Sequence, residues 1–500
     1  GQSHAPSIQF RVGVHVGDII IEDDDIFGDG VNVAARVEGL ALPGGICLSD
    51  DAYRHVRDKL DAVWADGGAR RVKNIARPIQ VWHWDGSGTG QTADAPGAVS
   101  NLPRSSKPSI AVLPFDNMSD DPGQDFFAVG LTEDLITDLS KVSGLLVVAR
   151  NSSFAIKRKE LNVSEAAHLL GVRYIVEGSV RRAGERVRIN VQMVDAKSGG
   201  HLWADRYDGT VDNVFQLQDD VGAKVVSALR VRLRVGEGER LSRIHTQSLD
   251  AYELYIRAKA TPFPPIPDRI AAAREMFEQV IKLDDAFSGG YAGLAWMLAF
   301  GSIFDTSSKP DQAKRAEALS RKGIDVDDSF GWSHVSLAWS LLAQGQFESA
   351  IEAIDDAVVR QPSDADVHAY RGIILGLSGR TDEAIEPIKH AIRLNPQFVR
   401  GPYLNLLCMV NVMRGALSEA LAAFEENIAR KGPVGPPVLA MIAAAHRQLG
   451  NAVEARQAAE MLAEGFPGFR LRDWTFLSLD QPPDRSARLR KDMIAAGISE

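Results

Sequence analysis

The chain has 500 residues, of which 45% are hydrophobic and 24% charged, and a net charge of −10. That is too long for one ordinary core, so roughly three globular domains of about 150 residues are expected, and the acidic balance argues against a general nucleic-acid binder. Two cysteines, Cys47 and Cys408, allow neither a disulfide framework nor a cysteine metal cluster and point to a reducing compartment; no apolar run approaches the roughly 20 residues of a membrane helix, so a cytoplasmic protein without a membrane span is expected.

The first residue is Gly1 and a strand pattern begins almost at once. An upstream segment is therefore expected, and the lack of a visible targeting signal carries little weight. Residues 10–16 alternate apolar residues with Arg11, Gly13 and His15, the mark of a half-buried strand. Gly17 and Asp18 read as a turn, and residues 19–21 as a second strand forming a hairpin with the first. After the acidic residues 22–25, a helix is expected over 31–40, ended by Pro43, Gly44 and Gly45. Residues 46–48 read as a short strand, with Ser49 or Asp50 capping a helix through Tyr53 and Val56. A last strand pair is placed around residues 73–75 and 79–84. Residues 85–107 are rich in Gly, Ser, Pro and Ala without an apolar period and read as a flexible linker.

Residues 108–235 alternate strand and helix patterns: strands at 110–115 and 145–149, helices at 126–142 and 164–171, three strands between 174 and 207, and a helix from about 214 to 233. The hairpin signal lies at Ala183, Gly184 and Glu185. This is an α/β or α+β layered domain. Glu133, Asp134 and Asp138 share one helix and read as a solvated acidic face rather than a metal site.

From about residue 248 the pattern is helical and repeats. Ala350, Ala357 and Pro362 recur 34 residues later as Ala384, Ala391 and Pro396, and Gly345 recurs as Gly379. Ala316 precedes Ala350 by 34, while Ala420 and Ala455 follow at intervals of 36 and 35; Ala273 marks an earlier copy before an insertion around residues 301–310. Small residues at these places let paired helices approach, glycine ends the first helix in the left-handed conformation, and proline stops the second.

This period resembles the tetratricopeptide repeat, in about six copies over residues 248–465, with 466–500 as a C-terminal cap or tail. The resemblance implies a superhelix whose concave groove binds a protein or peptide partner. Residues 109–115 (SIAVLPF), 130–135 (GLTEDL), 174–179 (YIVEGS) and 202–207 (LWADRY) resemble, in order and spacing, the TolB N-terminal-like domain.

Residues 25–36, DIFGDGVNVAAR, with 11–18 (RVGVHVGD) before them and 73–78 (KNIARP) after, resemble the C-terminal half of the class III adenylate and guanylate cyclase catalytic domain, covering residues 1–84. The expected fold is thus multidomain: a truncated α+β cyclase domain with a ferredoxin-like sheet, an α/β TolB-like domain and an all-α repeat superhelix. Asn32 and Arg36 are four apart and share one helical face, while Val33, Ala34 and Val37 are expected to face the sheet. By the resemblance, Arg36 stabilises the transition state, Asn32 orients the ribose, Lys73 binds the triphosphate and Asp25 selects the purine; a carboxylate accepts from the adenine amino group and disfavours the guanine keto oxygen. By residue type alone other readings stay open: Asp25 as part of an acidic turn, Arg36 as a surface arginine near Glu38 or Asp29, Lys73 as loop charge beside Arg70 and Arg71, and Asn32 as a helix-start residue.

The resemblance implies ATP as substrate, cyclic AMP and pyrophosphate as products, Mg2+ or Mn2+ as cofactor, and a head-to-tail homodimer with the active site between two cyclase domains. The family's two metal-binding aspartates and its purine-contacting lysine precede the strand at Phe10. Asp18, Asp23 and Asp29 do not replace them, no residue of this chain is assigned to metal, and the chain alone is expected to be inactive. The alternative is a non-catalytic regulatory or scaffold protein that binds partners through the repeat groove.

Overall fold

The structure, a computed structural model, describes residues 12–17, 20–22, 25–27, 29–38, 40–41, 45–57, 64–70, 79–84, 107–119, 125–157, 161–210, 213–229, 231, 246, 248–259, 267–304, 311–399, 401–474, 479 and 481–500. The expected linker lies outside the described residues except for Lys107. The chain forms two compact units, residues 1–98 and 99–500.

In the first unit, β1 (Val12–Val14), β4 (Ile46–Ser49), β6 (Ile79–Trp84) and β5 (Ala65–Arg70) form a four-stranded sheet in the order β1-β4-β6-β5. β1 runs parallel to β4, and the other two pairings are antiparallel. β2 (Ile20–Glu22) and β3 (Asp25–Phe27) form a separate antiparallel hairpin with Ile20 opposite Phe27 and Glu22 opposite Asp25. The expected hairpin between the first two strands is therefore corrected. Backbone pairing joins β2 to the strand that follows it, with Ile21 opposite Ile26. Helix α1 (Asp29–Glu38) and helix α2 (Asp50–Val56) complete the unit. A small core joins Val37 and Ala41 to Cys47 and Val81, with Val33, Leu40 and Ile79 packed beside it.

The second unit begins with a six-stranded sheet in the order β12-β11-β10-β7-β9, built from β7 (Ser109–Val112), β9 (Leu146–Val147), β10 (Tyr174–Ala183), β11 (Arg186–Asp195) and β12 (Gly200–Thr210), with β8 (Asp116–Asn117) pairing β10. β7, β9 and β10 are parallel, and the long β10–β11–β12 meander is antiparallel. Neighbouring residues of the parallel strands feed opposite faces, as pleating requires. Ile110, Val112 and Val147 join one cluster with Leu135 and Val221 of α3 (Asp125–Ser140) and α6 (Val214–Ala228). Ala111, Val148 and Ile175 join another with Ile156 of α4 (Arg150–Lys157) and Leu170 of α5 (Val163–Leu170). The sheet is thus covered on both faces. Helix α4 is absent from the expectations above: its residues RNSSFAIK carry two consecutive serines and too short an apolar period to announce a helix.

The rest of the unit stacks paired helices: α7 (Leu249–Lys259), α8 (Pro267–Leu283), α9 (Ser288–Phe304), α10 (Gln312–Val326), α11 (Gly331–Ala343), α12 (Phe347–Arg360), α13 (Ala365–Leu377), α14 (Thr381–Leu394), α15 (Tyr403–Arg414), α16 (Leu417–Ala429), α17 (Pro436–Gln448) and α18 (Ala452–Gly465). The recurring alanines Ala273, Ala316, Ala350, Ala384, Ala420 and Ala455 are all fully buried. The glycines that end the first helices, Gly345, Gly379, Gly415 and Gly450, have φ of 72°, 88°, 80° and 82°. A β-carbon is disfavoured there, so glycine is the residue that turns the chain back. A final helix, α19 (Pro483–Ala495), packs on α17 and donates from Arg485 Nη2 to the carbonyl of Gly376 at 2.9 Å.

The layered domain and the repeats share one seam. Ser152 on α4 donates from its amide and its hydroxyl to Asn395 Oδ1 at 3.1 and 2.6 Å, and its Oγ accepts from the amide of Gln397 at 2.8 Å. Ser363 Oγ donates to the carbonyl of Leu145 at 3.0 Å, and the amide of Ala149 donates to the carbonyl of Leu394 at 2.8 Å. The acidic helix faces this seam, which corrects the solvated reading. Glu133 and Asp138 are buried; Glu133 pairs with Arg150, Asp138 with Lys141 Nζ at 2.6 Å, and Asp134 accepts from the Tyr252 hydroxyl. Burial holds the Asp134 carboxyl up at about 8 against the Tyr252 hydrogen bond, which pulls it down.

Two outcomes follow. Ala350→Leu inserts a branched side chain where none fits and should lower stability by about 1–3 kcal/mol in urea unfolding. Because the folded state holds the Asp134 proton more tightly than the unfolded one, its contribution is full below the ordinary carboxyl value near 3.8 and is lost as pH rises through about 8. Asp134→Asn should therefore flatten the decline in urea midpoint between pH 4 and 8.

Candidate functional site

The first unit is organised by close approach around α1. A β-carbon on Gly13 of β1 would fall 2.1 Å from the Glu38 amide nitrogen, so the end of α1 packs on a strand position that must lack a side chain. A β-carbon on Gly17 would meet the Cα of Gly30 at 3.3 Å, which brings the chain after β1 against the first turn of the helix. Val37 is fully buried beneath α1, while Val33 and Ala34 are half-buried. Helix position is therefore fixed from below at both ends.

The far end of β1 is held by a polar contact that composition did not announce. His15 Nδ1 lies 2.8 Å from Ser49 Oγ, and the same oxygen caps α2 by accepting from the Ala52 amide at 3.3 Å. Ser49 is almost fully buried. Trp82 Nε1 donates to Asp50 Oδ1 at 3.1 Å, and its ring stacks on Tyr53 at 3.8 Å between centroids. A polar residue alternating along a strand, followed by a distant serine before a helix, is too common a pattern to have revealed the first of these contacts.

The expected site residues fall on consecutive elements. Asp25 opens β3, and α1 begins two residues after β3 ends, carrying Asn32 in its first half and Arg36 in its last turn. The helix is continuous over both, so Asn32 and Arg36 are one turn apart on the same side. Arg36 is exposed, while the adjacent Val37 is fully buried. A cation in the last turn is also favoured by the helix dipole. Lys73 lies outside the described residues, as do the side chains of Asp25 and Asn32. Among the described residues no group of three or more His, Cys, Asp or Glu side chains could hold a metal ion, so they do not form a site for the divalent cation of the cyclase reading.

Residues 2–77 match the adenylate and guanylate cyclase catalytic domain, residues 335–397 the tetratricopeptide repeat, and residues 105–223 the second domain of HilA/YgeH-like transcriptional regulators. The chain joins a cyclase-domain segment to tetratricopeptide repeats. Among relatives, it is 48% identical over 291 residues to "Putative adenylate cyclase 3" of Rhizobium meliloti (strain 1021), covering 58% of this chain and 49% of that protein. It is 32% identical over 77 residues to the "pH-sensitive adenylate cyclase MT1302" of Mycobacterium tuberculosis (strain CDC 1551 / Oshkosh), covering 15% of this chain and 19% of that protein. The chain thus spans about half or less of the length of these relatives. A solved adenylate/guanylate cyclase/hydrolase from Silicibacter pomeroyi aligns at 51% identity over 14% of this chain and 43% of the other, with a TM-score of 0.14. No described helix is long and apolar enough to cross a membrane.

The close packing of the cyclase segment gives a direct test. Gly13→Ala forces α1 away from β1 and should destabilise the segment by about 1–3 kcal/mol, read as a lower thermal midpoint and faster proteolysis within residues 1–98.

Proposed function

We propose that the native protein is an adenylate cyclase that converts ATP to 3′,5′-cyclic AMP and pyrophosphate, with the repeat region serving regulation through a protein partner. The observation that carries this reading is the placement of Arg36: a guanidinium projecting from a helix whose other face is pinned to the sheet through Val37 and Gly13. A guanidinium carried on a fixed helix can stabilise charge that develops on a phosphoryl group during transfer.

In the proposed reaction the ribose 3′ oxygen attacks the α-phosphorus, forming the new phosphorus–oxygen bond as the bond to the leaving pyrophosphate breaks. Arg36 stabilises the α-phosphate charge, Asn32 orients the ribose and Lys73 holds the triphosphate. Asp25 accepts from the adenine amino group and so favours ATP over GTP. The resemblance calls for Mg2+ or Mn2+ and for two cyclase domains paired head to tail. The described residues supply no group of three or more candidate ligands for the ion.

A second reading is a regulatory or scaffold protein without catalysis. It is supported by the match of residues 105–223 to a domain of transcriptional regulators and by the size of the second unit, residues 99–500. The layered domain is further proposed to be TolB-like.

Cyclic AMP production decides between the two. In a form that carries a complete cyclase domain, Arg36→Ala should lower turnover by about 10²–10³-fold while leaving the fold intact by circular dichroism. Equal activity in both forms would defeat the assignment; no activity in the unaltered form would favour the scaffold.

A further inference from the structure

The second unit encloses a cavity of about 390 Å3 between the layered domain and the inner side of the repeat helices. That volume falls within the range of small-molecule sites. One wall is aromatic. Trp296 on α9, Trp332 on α11 and Tyr370 on α13 all line it, with ring centroids 6.3 to 6.5 Å apart. Trp332 stands nearly perpendicular to both others, at 80° and 87°, while Trp296 and Tyr370 are within 32° of parallel. Three rings from three successive repeats thus present π-faces and edges to one space.

The opposite chemistry is acidic. Asp134 and Asp219 reach the cavity from the layered domain, Asp364 and Asp366 from the start of α13. Glu133 is neutralised by Arg150 and Asp138 by Lys141. Asp134 holds its proton against Tyr252, which leaves Asp219, Asp364 and Asp366 to share the cavity with the ammonium of Lys259, which lies 5.3 Å from the Tyr255 ring centroid. Two buried polar atoms on the lining lack a partner: Trp296 Nε1, a donor, and Oε1 of Gln361, an acceptor on a side chain only 2% exposed. Buried polar groups are normally paired, and of the two only the Gln361 oxygen, an acceptor, suits a cationic ligand.

We propose that this cavity binds a small organic cation, an amine protonated at neutral pH. Its apolar body lies among Trp296, Trp332 and Tyr370, and its ammonium faces Asp364 and Asp366. Aromatic faces attract a desolvated cation through their quadrupoles, and the carboxyls provide charge-assisted acceptors. An anion of equal size would meet the same carboxyls as like charges.

The site is also wired to the seam. Asp366 Oδ1 accepts from the Tyr403 hydroxyl at 2.7 Å, Tyr403 Oη accepts from Asn395 Nδ2 at 3.0 Å, and Asn395 Oδ1 accepts from Ser152. A ligand held by Asp366 is therefore three hydrogen bonds from the layered domain. The proposal concerns binding within residues 99–500 and stands whether or not the protein is a cyclase.

The test is tryptophan fluorescence and thermal denaturation of the full 500-residue chain, titrated with 2-phenylethylammonium and tetramethylammonium, with 3-phenylpropionate as the size-matched anion. A saturable fluorescence change and a raised midpoint are expected with a cation and not with the anion. Asp366→Asn, which keeps the side-chain shape, and Trp296→Leu, which breaks no hydrogen bond, should each weaken cation binding by at least about tenfold. Circular dichroism verifies their fold, and Trp296→Phe, which restores a ring, should recover part of the affinity. The proposal is overturned if neither cation saturates below about 10 mM, if the anion binds as well, or if the folded variants bind like the unaltered chain.

Discussion

The second unit depends on one seam, in which the turns between repeats are hydrogen-bonded to the layered domain. Ser152 offers its amide and hydroxyl to Asn395 and accepts from Gln397, while Ser363 reaches the carbonyl of Leu145. These groups are buried, so each would cost about 1–3 kcal/mol if left unpaired. Helical repeats otherwise contact only their neighbours and bend as a spring. Tying two successive turns to a rigid sheet domain fixes the curvature of the array at that point, and the cavity beside the seam keeps its shape because both walls are anchored.

The cyclase segment is governed by a different constraint, the closeness of α1 to β1. Gly13 has no room for a methyl group beneath Glu38, and Gly17 and Gly30 pass one another nearby. The helix is therefore held by backbone contact as well as by the small core of Val37, Ala41, Cys47 and Val81. A core of that size leaves little margin, so loss of one close approach would be felt along the whole helix.

Burial changes the chemistry of the acidic groups at the seam. Asp134 meets Tyr252 away from water, and desolvation lifts its carboxyl to about 8; Asp366, buried near Asp364, is lifted to about 6. Asp134, which read as part of a solvated acidic face in the sequence, thus becomes a proton-holding group in a partly closed space. The same residue types on an exposed helix would have carried no such role.

The sequence alone determined the repeat period, because close helix packing demands alanine at Ala350 and Ala384 and reversal of the chain demands glycine at Gly345 and Gly379, and those demands recur at fixed intervals. It also carried the resemblance of the N-terminal segment to the cyclase catalytic domain, because the matching stretch DIFGDGVNVAAR is contiguous in the chain. Tertiary structure decided that β1 pairs with the distant β4, which leaves β2 to form a separate hairpin with β3. It also decided that Glu133, Asp134 and Asp138 face a neighbour instead of water, and that Trp296, Trp332 and Tyr370 meet. Contacts between residues far apart in the chain leave no periodic trace, because each side must only be compatible with burial, and many sequences satisfy that.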